Sequence, residues 1–308
     1  MKKLFVFLGL IIMSSSLVAQ QVGEMTMDMK EGENIHKKKG YSPYAGRYFP
    51  TQVYWGDTHL HTSNSLDARA FGTTLGPEAA YRLARGEEIT ATHGEKVKLS
   101  RPLDWLVVAD HSDGMGAMNE IIKGNPNLMN DPTVKDWYTR INEGGKTALM
   151  ATMDVINSFA LGKIPPILLD EEFSQTIWDR YIETAEKYND PGTFTTIIGY
   201  EWTSTENGNN LHRNVLYRNN GSIARQMLPY TTSESFNPED LWKWMQRYED
   251  KTGGDVLALA HNGNLSNGIM FPVEINPATG KPLDGNYAKD RIKWEPLYEI
   301  TQIKGDGE

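Results

Sequence analysis

The chain has 308 residues, carries a formal net charge of −9 at pH 7 and contains no cysteine. The length is sufficient for one large domain with its own core, and the lack of cysteine excludes disulfides and thiolate metal ligands. The acidic balance, with no dense basic run beyond His36–Lys39, argues against nucleic acid as the main partner. It does not exclude small anions bound at a local site.

The first 20 residues have the pattern of a secretory signal peptide. Two lysines precede an apolar run from Leu4 to Met13, and small residues follow. The run is shorter than the roughly 20 apolar residues of a transmembrane helix. We therefore expect cleavage after Ala19 or Gln20, no stable membrane insertion afterwards, and a periplasmic or secreted protein. An uncleaved N-terminal anchor is the alternative.

The segment VYWGDTHLHTSNSLD, from Val53 to Asp67, predicts the first strand and a candidate metal site. Polar residues 21–48 form an extended lead-in, and the strand covers about residues 52–60. His59 and His61 are two positions apart, so a strand places both rings on one face, roughly 6.6–7 Å apart along the backbone. Both rings can then approach one metal ion. Two solvent-facing histidines beside a loop are the alternative.

Two further apolar runs end in residues that commonly bind metals. Trp105 to Ala109 predict a buried strand followed directly by Asp110 and His111. Thr195 to Tyr200 predict another strand, with Glu201 at its end. A helix over residues 77–87 begins with proline and precedes both of these strands.

The C-terminal part repeats this design. The segment LHRNVLYRN predicts a strand that opens with His212 and Arg213, and residues 238–251 predict a helix. The segment DVLALAHNGN is a buried strand followed directly by His261 and Asn262. A final strand is predicted in PLYEITQIKGDGE.

Strands that alternate with helices indicate parallel strands and an α/β fold. In a (β/α) barrel the carboxyl ends of the strands meet at one face, where such enzymes act. The ligand-type residues at these strand ends should therefore converge in space. His212 differs because it begins its strand, so it reaches the same rim only if that strand is antiparallel or if the residue lies on the preceding loop.

Taken together, the motifs resemble a known group of proteins. HLH with a following Asp, ADH, GYE, the His of NLHRN and AHNGN resemble, in order, motifs of the PHP (polymerase and histidinol phosphatase) superfamily. WGDTHLHTSNSLDA, RPLDWLVVADHSD, IIGYEWTS and EITQIKGDGE resemble more closely the DUF3604 family, a PHP-like group, over about residues 50–308. The resemblance implies a domain over residues 49–308 with a distorted (β/α)7 barrel, up to three metal ions and, usually, phosphoester hydrolysis.

The resemblance also implies roles for individual residues. In this assignment, His59 and His61 hold a first divalent metal ion, and Glu201 bridges two ions. His212 and His261 complete the second ion. Asp67 and His111 hold a third. The cofactors are then two to three ions of Zn, Mn or Fe.

Three further roles concern catalysis and substrate. Asp110 is expected to orient the ligand histidine that follows it and to serve, with Glu201 and Arg213, as a catalytic residue. Arg213 would also hold a substrate phosphate through its planar guanidinium, with a surface salt bridge as the alternative. Asn262 and Lys304 are further substrate-binding candidates.

The sequence departs from the PHP pattern in two ways. No Asp-x-His motif follows His261, and the sequence stops after a predicted strand, so we expect a barrel that is incomplete at the C-terminus in a truncated chain. The spacing between His111 and Glu201 is long and predicts a helical insertion over about residues 117–190, either a lid over the site or a structural flank.

The expected function is an exported metal-dependent hydrolase, with a phosphoesterase that uses a metal-activated water as the first choice. Its substrate would be a small anionic molecule. The alternatives are a metal-dependent amide, lactone or other ester hydrolase, and a non-catalytic metal-binding remnant of a longer enzyme.

Overall fold

Helices and short strands alternate along the part of the chain that the computed structural model describes, residues 52–307. The predicted signal peptide (1–20) and lead-in (21–48) lie outside the described residues. The mixed α/β class is confirmed. Among the described residues, no helix combines the length and apolarity that a membrane span requires.

The strands of the described region are all five residues or shorter. They are β1 (Gly56–Leu60), β2 (Ile89–Thr90), β3 (Lys96–Val97), β4 (Trp105–Val108), β5 (Thr195–Ile197), β6 (Gly199–Trp202), β7 (Arg213–Tyr217), β8 (Val256–Ala260), β9 (Leu297–Tyr298), β10 (Thr301–Gln302) and β11 (Gly305–Asp306).

The α-helices of the same region range from 4 to 18 residues. They are α1 (Leu66–Ala70), α2 (Pro77–Ala84), α3 (Ala117–Lys123), α4 (Pro132–Glu143), α5 (Gly145–Ala160), α6 (Glu171–Tyr188), α7 (Gly221–Ala224), α8 (Pro238–Thr252) and α9 (Gly285–Trp294).

Helix α8 shows how the local sequence sets these elements. Asn237 caps the helix by accepting a hydrogen bond from the backbone N–H of Glu239, and Pro238 occupies the first turn. Buried Leu241, Met245 and Tyr248 recur at helical spacing, so one face of the helix packs into the main core.

Three parallel strands form the first sheet, in the order β1-β4-β5. Helix α2 lies between β1 and β4 in sequence, and helix α6 lies between β4 and β5. Both helices contribute to the main core, through Tyr81 from α2 and through Trp178 and Tyr181 from α6. The carboxyl ends of β1 and β4 therefore lie side by side, which places His59, His61 and His111 at one edge.

The second sheet has four strands in the order β6-β7-β8-β9. Strand β7 is antiparallel to both neighbours, whereas β8 and β9 are parallel. Of the two possibilities that the sequence left open for His212, the antiparallel strand is the one observed, so β7 departs from the general expectation of parallel strands. Residues 203–212, which join β6 to β7, are too few for a crossover helix, so the chain must return antiparallel.

A single parallel bridge between His111 and Glu201 joins the two sheets. Within residues 52–307 the strands form several small sheets and no closed barrel. The α/β class is therefore confirmed, but the (β/α)7 barrel is not.

The segment predicted as an insertion, residues 117–190, is helical and contributes to two cores. Helix α6 packs in the main core. Helices α3, α4 and α5 instead share a second core with Leu66 of α1. This second core consequently supports the helix that carries Asp67.

Candidate metal centre

Glu201 lies at the centre of the site, on β6 at the junction of the two sheets. Its side chain is only 1% exposed. The backbone N–H of Glu201 donates to the carbonyl of Asp110, and the N–H of Ser112 donates to the carbonyl of Glu201, at 3.0 and 2.8 Å. These bonds fix the carboxylate beside the end of β4.

The first group of ligand-type atoms faces one oxygen of Glu201. His59 Nε2 and His61 Nε2 each lie 2.9 Å from Glu201 Oε2. The pairing of β1 with β4 shifts register between Asp57 and Leu60, yet the two histidines still face the same side. The three side chains could hold one metal ion.

The second group faces the other oxygen. His212 Nδ1 lies 2.6 Å from Glu201 Oε1, and His261 Nε2 lies 3.3 Å from it. His212 reaches the site because antiparallel β7 begins where β6 and β8 end. These three buried side chains could also hold a metal ion.

A third group combines Asp67, His61 and His111. His111 Nε2 lies 3.3 Å from Asp67 Oδ1, and the ring centroids of His61 and His111 are 4.6 Å apart. The groups therefore share members, since His61 also belongs to the first one. The seven ligands predicted from the sequence all lie in these three groups.

Glu299 completes a fourth group, with His59 and His261, and it was not among the ligands predicted from the sequence. Its Oε2 lies 2.8 Å from His59 Nδ1. Parallel pairing of Ala260 with Tyr298, and a 3.1 Å bond from the N–H of Glu299 to the carbonyl of Ala260, place Glu299 beside His261. The available signal was a glutamate after a short apolar run, as in the GYE segment.

The charges of this cluster shift the pKa of Glu201. Burial raises the pKa of its carboxyl, but His111, His261 and His212 outweigh burial and hold that pKa well below its usual value. Burial dominates at His212, whose pKa falls to about 4. A neutral His212 and an ionised Glu201 are the forms that bind a cation.

The pKa values of two other histidines move in the opposite direction. Burial lowers the pKa of His59, but hydrogen bonds with Glu201 and Glu299 raise it to about 9. Burial also lowers the pKa of His111, but the charge of Glu201 and the hydrogen bond with Asp67 raise it to about 9. At neutral pH these rings carry protons that a metal ion must displace.

Several buried atoms of the site lie close to one another but form no hydrogen bond of good geometry within the described residues. They are Glu201 Oε1, His212 Nδ1 and both ring nitrogens of His261. A buried polar atom without a partner costs about 1–3 kcal/mol. Because three of these atoms face one another in the second group, a bound divalent cation would satisfy them together. The donor set thus fits a metal ion.

Three histidines also contact a hydroxyl group, and His61 and His212 do so through the ring nitrogen that faces away from Glu201. His61 Nδ1 lies 2.7 Å from Ser65 Oγ, and His212 Nε2 lies 2.9 Å from Thr205 Oγ1. His111 Nδ1 contacts Thr203 Oγ1. Outer contacts of this kind orient imidazole ligands in metal sites.

Asp110 directly precedes His111 after the end of β4 and is fully buried. Its carboxylate accepts hydrogen bonds from the backbone N–H and the hydroxyl of Thr62, at 2.5 and 2.7 Å. It therefore fixes the loop after His61, whereas the sequence pattern predicts that it orients His111. Burial raises the pKa of Asp110, and the hydrogen bonds from Thr62 oppose this rise.

Arg213 points away from the site, because adjacent residues of a strand face opposite sides. Its side chain is 1% exposed. Its Nε donates to Glu295 Oε1 at 2.9 Å, and its Nη1 donates to the carbonyl of Leu211. The guanidinium is therefore occupied by a structural ion pair and is not available to a substrate phosphate.

The two other substrate-binding candidates lie in connections: Asn262 follows β8, and Lys304 lies between β10 and β11. Asn262 is 2% exposed and adopts a left-handed conformation (φ 54°) directly after His261. Its Nδ2 lies 3.4 Å from Asn264 Oδ1. Lys304 is exposed, and its carbonyl accepts a 3.1 Å hydrogen bond from Asn264 Nδ2.

Comparison with known proteins identifies a family. Residues 48–308 match the model of a family described as "Protein of unknown function (DUF3604)". No curated protein and no solved structure matches the chain.

Proposed function

The chain belongs to the DUF3604 family of proteins of unknown function, and we propose that it is a metal-dependent hydrolase, most specifically a phosphoesterase. One observation carries this proposal. Buried Glu201 directs one oxygen at His59 and His61 and the other at His212 and His261. A carboxylate placed in this way would bridge two metal ions.

The proposed cofactors are two to three divalent ions of Zn, Mn or Fe. Imidazole and carboxylate ligands without thiolate suit these metals. The first two groups around Glu201 account for two ions, and the group with Asp67 and His111 accounts for a third.

We also propose that the fold is an open, PHP-like (β/α) barrel. The bridge between His111 and Glu201 joins one sheet to the other. On the opposite side, His59 of β1 contacts Glu299, which directly follows β9, and β1 and β9 are edge strands of the two sheets. The site then lies where the strand ends meet, as in barrel enzymes.

Divalent ions held here would supply a water of lowered pKa and would stabilise negative charge on the attacked and leaving oxygens. The protein contributes five histidines that bind as neutral rings, and the carboxylates Glu201, Asp67 and Glu299. Two divalent ions carry four positive charges against these three negative ones. The loaded centre therefore remains positive and favours an anionic substrate.

The same centre is suited to other scissile bonds. Arg213 is occupied by Glu295, so a phosphate group would be held by the metal centre itself. Hydrolysis of an amide, lactone or carboxylic ester would use the same metal-activated water. In the non-catalytic alternative, the chain binds metal but hydrolyses none of these substrates. A substrate panel distinguishes these cases.

The experiment uses protein purified without chelator, reconstituted with Zn²⁺ or Mn²⁺, and tested on 4-nitrophenyl phosphate, bis(4-nitrophenyl) phosphate, 4-nitrophenyl acetate, an anilide and a lactone. Glu201→Gln and His59→Ala should both lose bound metal. Their turnover should fall by at least about 100-fold. His93→Ala is the matched control, because His93 is exposed in the turn between β2 and β3.

Each result has a defined meaning. Metal binding with turnover of only the phosphate esters supports the phosphoesterase, and turnover of another bond supports the alternative hydrolase. Bound metal without turnover of any substrate favours the non-catalytic alternative. Unchanged hydrolysis in Glu201→Gln would exclude the assigned site.

We further propose that the protein acts on a small molecule in the periplasm or outside the cell. The support is the signal-peptide pattern of residues 1–20 and the acidic composition. Mass spectrometry of the exported protein should find a mature N-terminus at Gln20 or Gln21. A protein that retains Met1 in the cytoplasm would contradict this.

A further inference from the structure

The histidines around Glu201 differ in the group that contacts their outer ring nitrogen. For His61 and His212 this group is a hydroxyl, whereas for His59 it is the carboxylate of Glu299. The difference matters, because a histidine binds a metal through a nitrogen that carries no proton.

A hydroxyl group can donate or accept a hydrogen bond, so it does not decide which ring nitrogen carries the proton. An ionised carboxylate can only accept. Glu299 therefore requires a proton on His59 Nδ1. Without a metal, Nε2 hydrogen-bonds to Glu201 Oε2 at 2.9 Å. When an ion takes the place of that proton, the proton on Nδ1 leaves the lone pair of Nε2, beside His61 Nε2, for the ion.

The position of Glu299 is fixed by the backbone and by the preceding side chain. Its N–H donates to the carbonyl of Ala260 at 3.1 Å. The hydroxyl of Tyr298 accepts from the N–H of Gly263 at 3.1 Å and donates to the carbonyl of Gly307 at 3.0 Å. The carboxylate is thus held by paired strands, and its side chain is 18% exposed.

The orientation of His59 also affects the second group of ligands. The ring centroids of His59 and His261 are 4.0 Å apart, so a rotation of the His59 ring would displace His261. Because Glu299 holds the His59 ring in place, it also helps to position His261, which faces the other oxygen of Glu201.

We propose that Glu299 is a positioning residue that fixes the tautomer and orientation of His59, forming a carboxylate–histidine–metal relay at the first group. This proposal rests on one part of the proposed function, that the centre binds metal. It does not depend on which bond is hydrolysed. Outer carboxylates of this kind typically change metal affinity by about 10–100-fold.

The test is a Zn²⁺ titration of the full chain against a chromogenic chelator, followed by metal analysis at saturation. Glu299→Ala should bind the same number of ions as the wild type, with one of them about 10–100-fold weaker. Glu299→Gln should lose less, because its amide oxygen can still accept from His59. Glu274→Ala is the control, since Glu274 is exposed.

A spectroscopic measurement separates positioning from a general structural effect. In Zn-loaded protein labelled with ¹⁵N-histidine, His59 should show a protonated Nδ1, with its signals identified by their absence in His59→Asn. Glu299→Ala should lose the slowly exchanging Nδ1 proton, and Glu299→Gln should retain it.

Four outcomes overturn the proposal. Loss of one ion at saturation in Glu299→Ala would make Glu299 a ligand, as the group with His59 and His261 allows. Affinity within twofold of the wild type, or an unprotonated Nδ1 in loaded wild-type protein, would remove the positioning role. Absence of metal from the wild type would overturn the proposed function as well, so the two failures are distinguishable.

Discussion

Replacing Glu295 with Gln should destabilise the protein strongly, although the residue lies outside the candidate metal centre. Glu295 accepts hydrogen bonds from Arg213 Nε (2.9 Å), Trp242 Nε1 (2.8 Å) and Arg291 Nη2 (2.7 Å). Burial raises the pKa of its carboxyl, but Arg213 and Arg291 outweigh burial and hold that pKa below its usual value. The residue is therefore ionised at neutral pH and neutralises buried Arg213.

The structure also sets the size of the effect. Glu295→Gln leaves the guanidinium of Arg213 buried without an anion, which costs about 3–5 kcal/mol. Arg213→Met leaves Glu295 with two of its three donors, but it removes one charged hydrogen bond and the donor to the carbonyl of Leu211. Its cost should be smaller, about 2–3 kcal/mol.

The measurement is urea unfolding followed by tryptophan fluorescence, with EDTA present so that bound metal does not contribute. Glu274→Gln, at an exposed site, should remain within about 0.5 kcal/mol of the wild type. The role assigned to Glu295 is refuted if Glu295→Gln lowers the unfolding free energy by less than about 1 kcal/mol. It is also refuted if Arg213→Met lowers the unfolding free energy by more than Glu295→Gln does. Either result would mean that Arg213 does not depend on Glu295.

Three further predictions concern the metal centre. Because the pKa values of His59 and His111 rise from 6.5 to about 9 on folding, their stabilising effect is complete below pH 6.5. It should be lost as the pH rises towards 9. Unfolding measured in EDTA should show this decrease, and a stability that does not fall would contradict it. Zn²⁺ binding at pH 7 should release protons from these rings, so the Zn²⁺ affinity should increase about tenfold per pH unit for each proton released. Calorimetry in buffers of different ionisation enthalpy measures the number of protons released, and a value of zero would contradict the prediction. Asp110→Asn should weaken Zn²⁺ binding about tenfold without changing the number of ions, since it loosens the loop at Thr62; a lower number of ions would make Asp110 a ligand.

The convergence of the site could be predicted because it follows from a simple rule of strand order. His111 and His261 each follow a buried strand, His59 lies in β1 near its carboxyl end, and such strand ends gather at one edge. The direction of β7 could not be assigned from periodicity alone, since apolar alternation is the same in both directions. The short connection of residues 203–212 carried that information.

Glu299 and Arg213 show what a linear pattern does not reveal. The run before Glu299 is short, and only the register of β9 against β8 places the carboxylate beside His261. Arg213 is next to His212 in sequence, but strand geometry turns adjacent side chains to opposite faces. Proximity in sequence was therefore a poor guide to its role, and its partner Glu295 comes from a distant helix end.

The contact between His59 and Glu299 joins residues that are 240 positions apart. During synthesis, His59 and His61 leave the ribosome long before Glu201, His261 and Glu299 follow. Two histidines on a nascent chain hold a cation weakly, since a metal site seldom exists before folding. The complete set of proposed ligands forms only when folding is finished, so an ion bound at the proposed centre should reflect the metals available in the compartment where folding ends, rather than those present where translation begins.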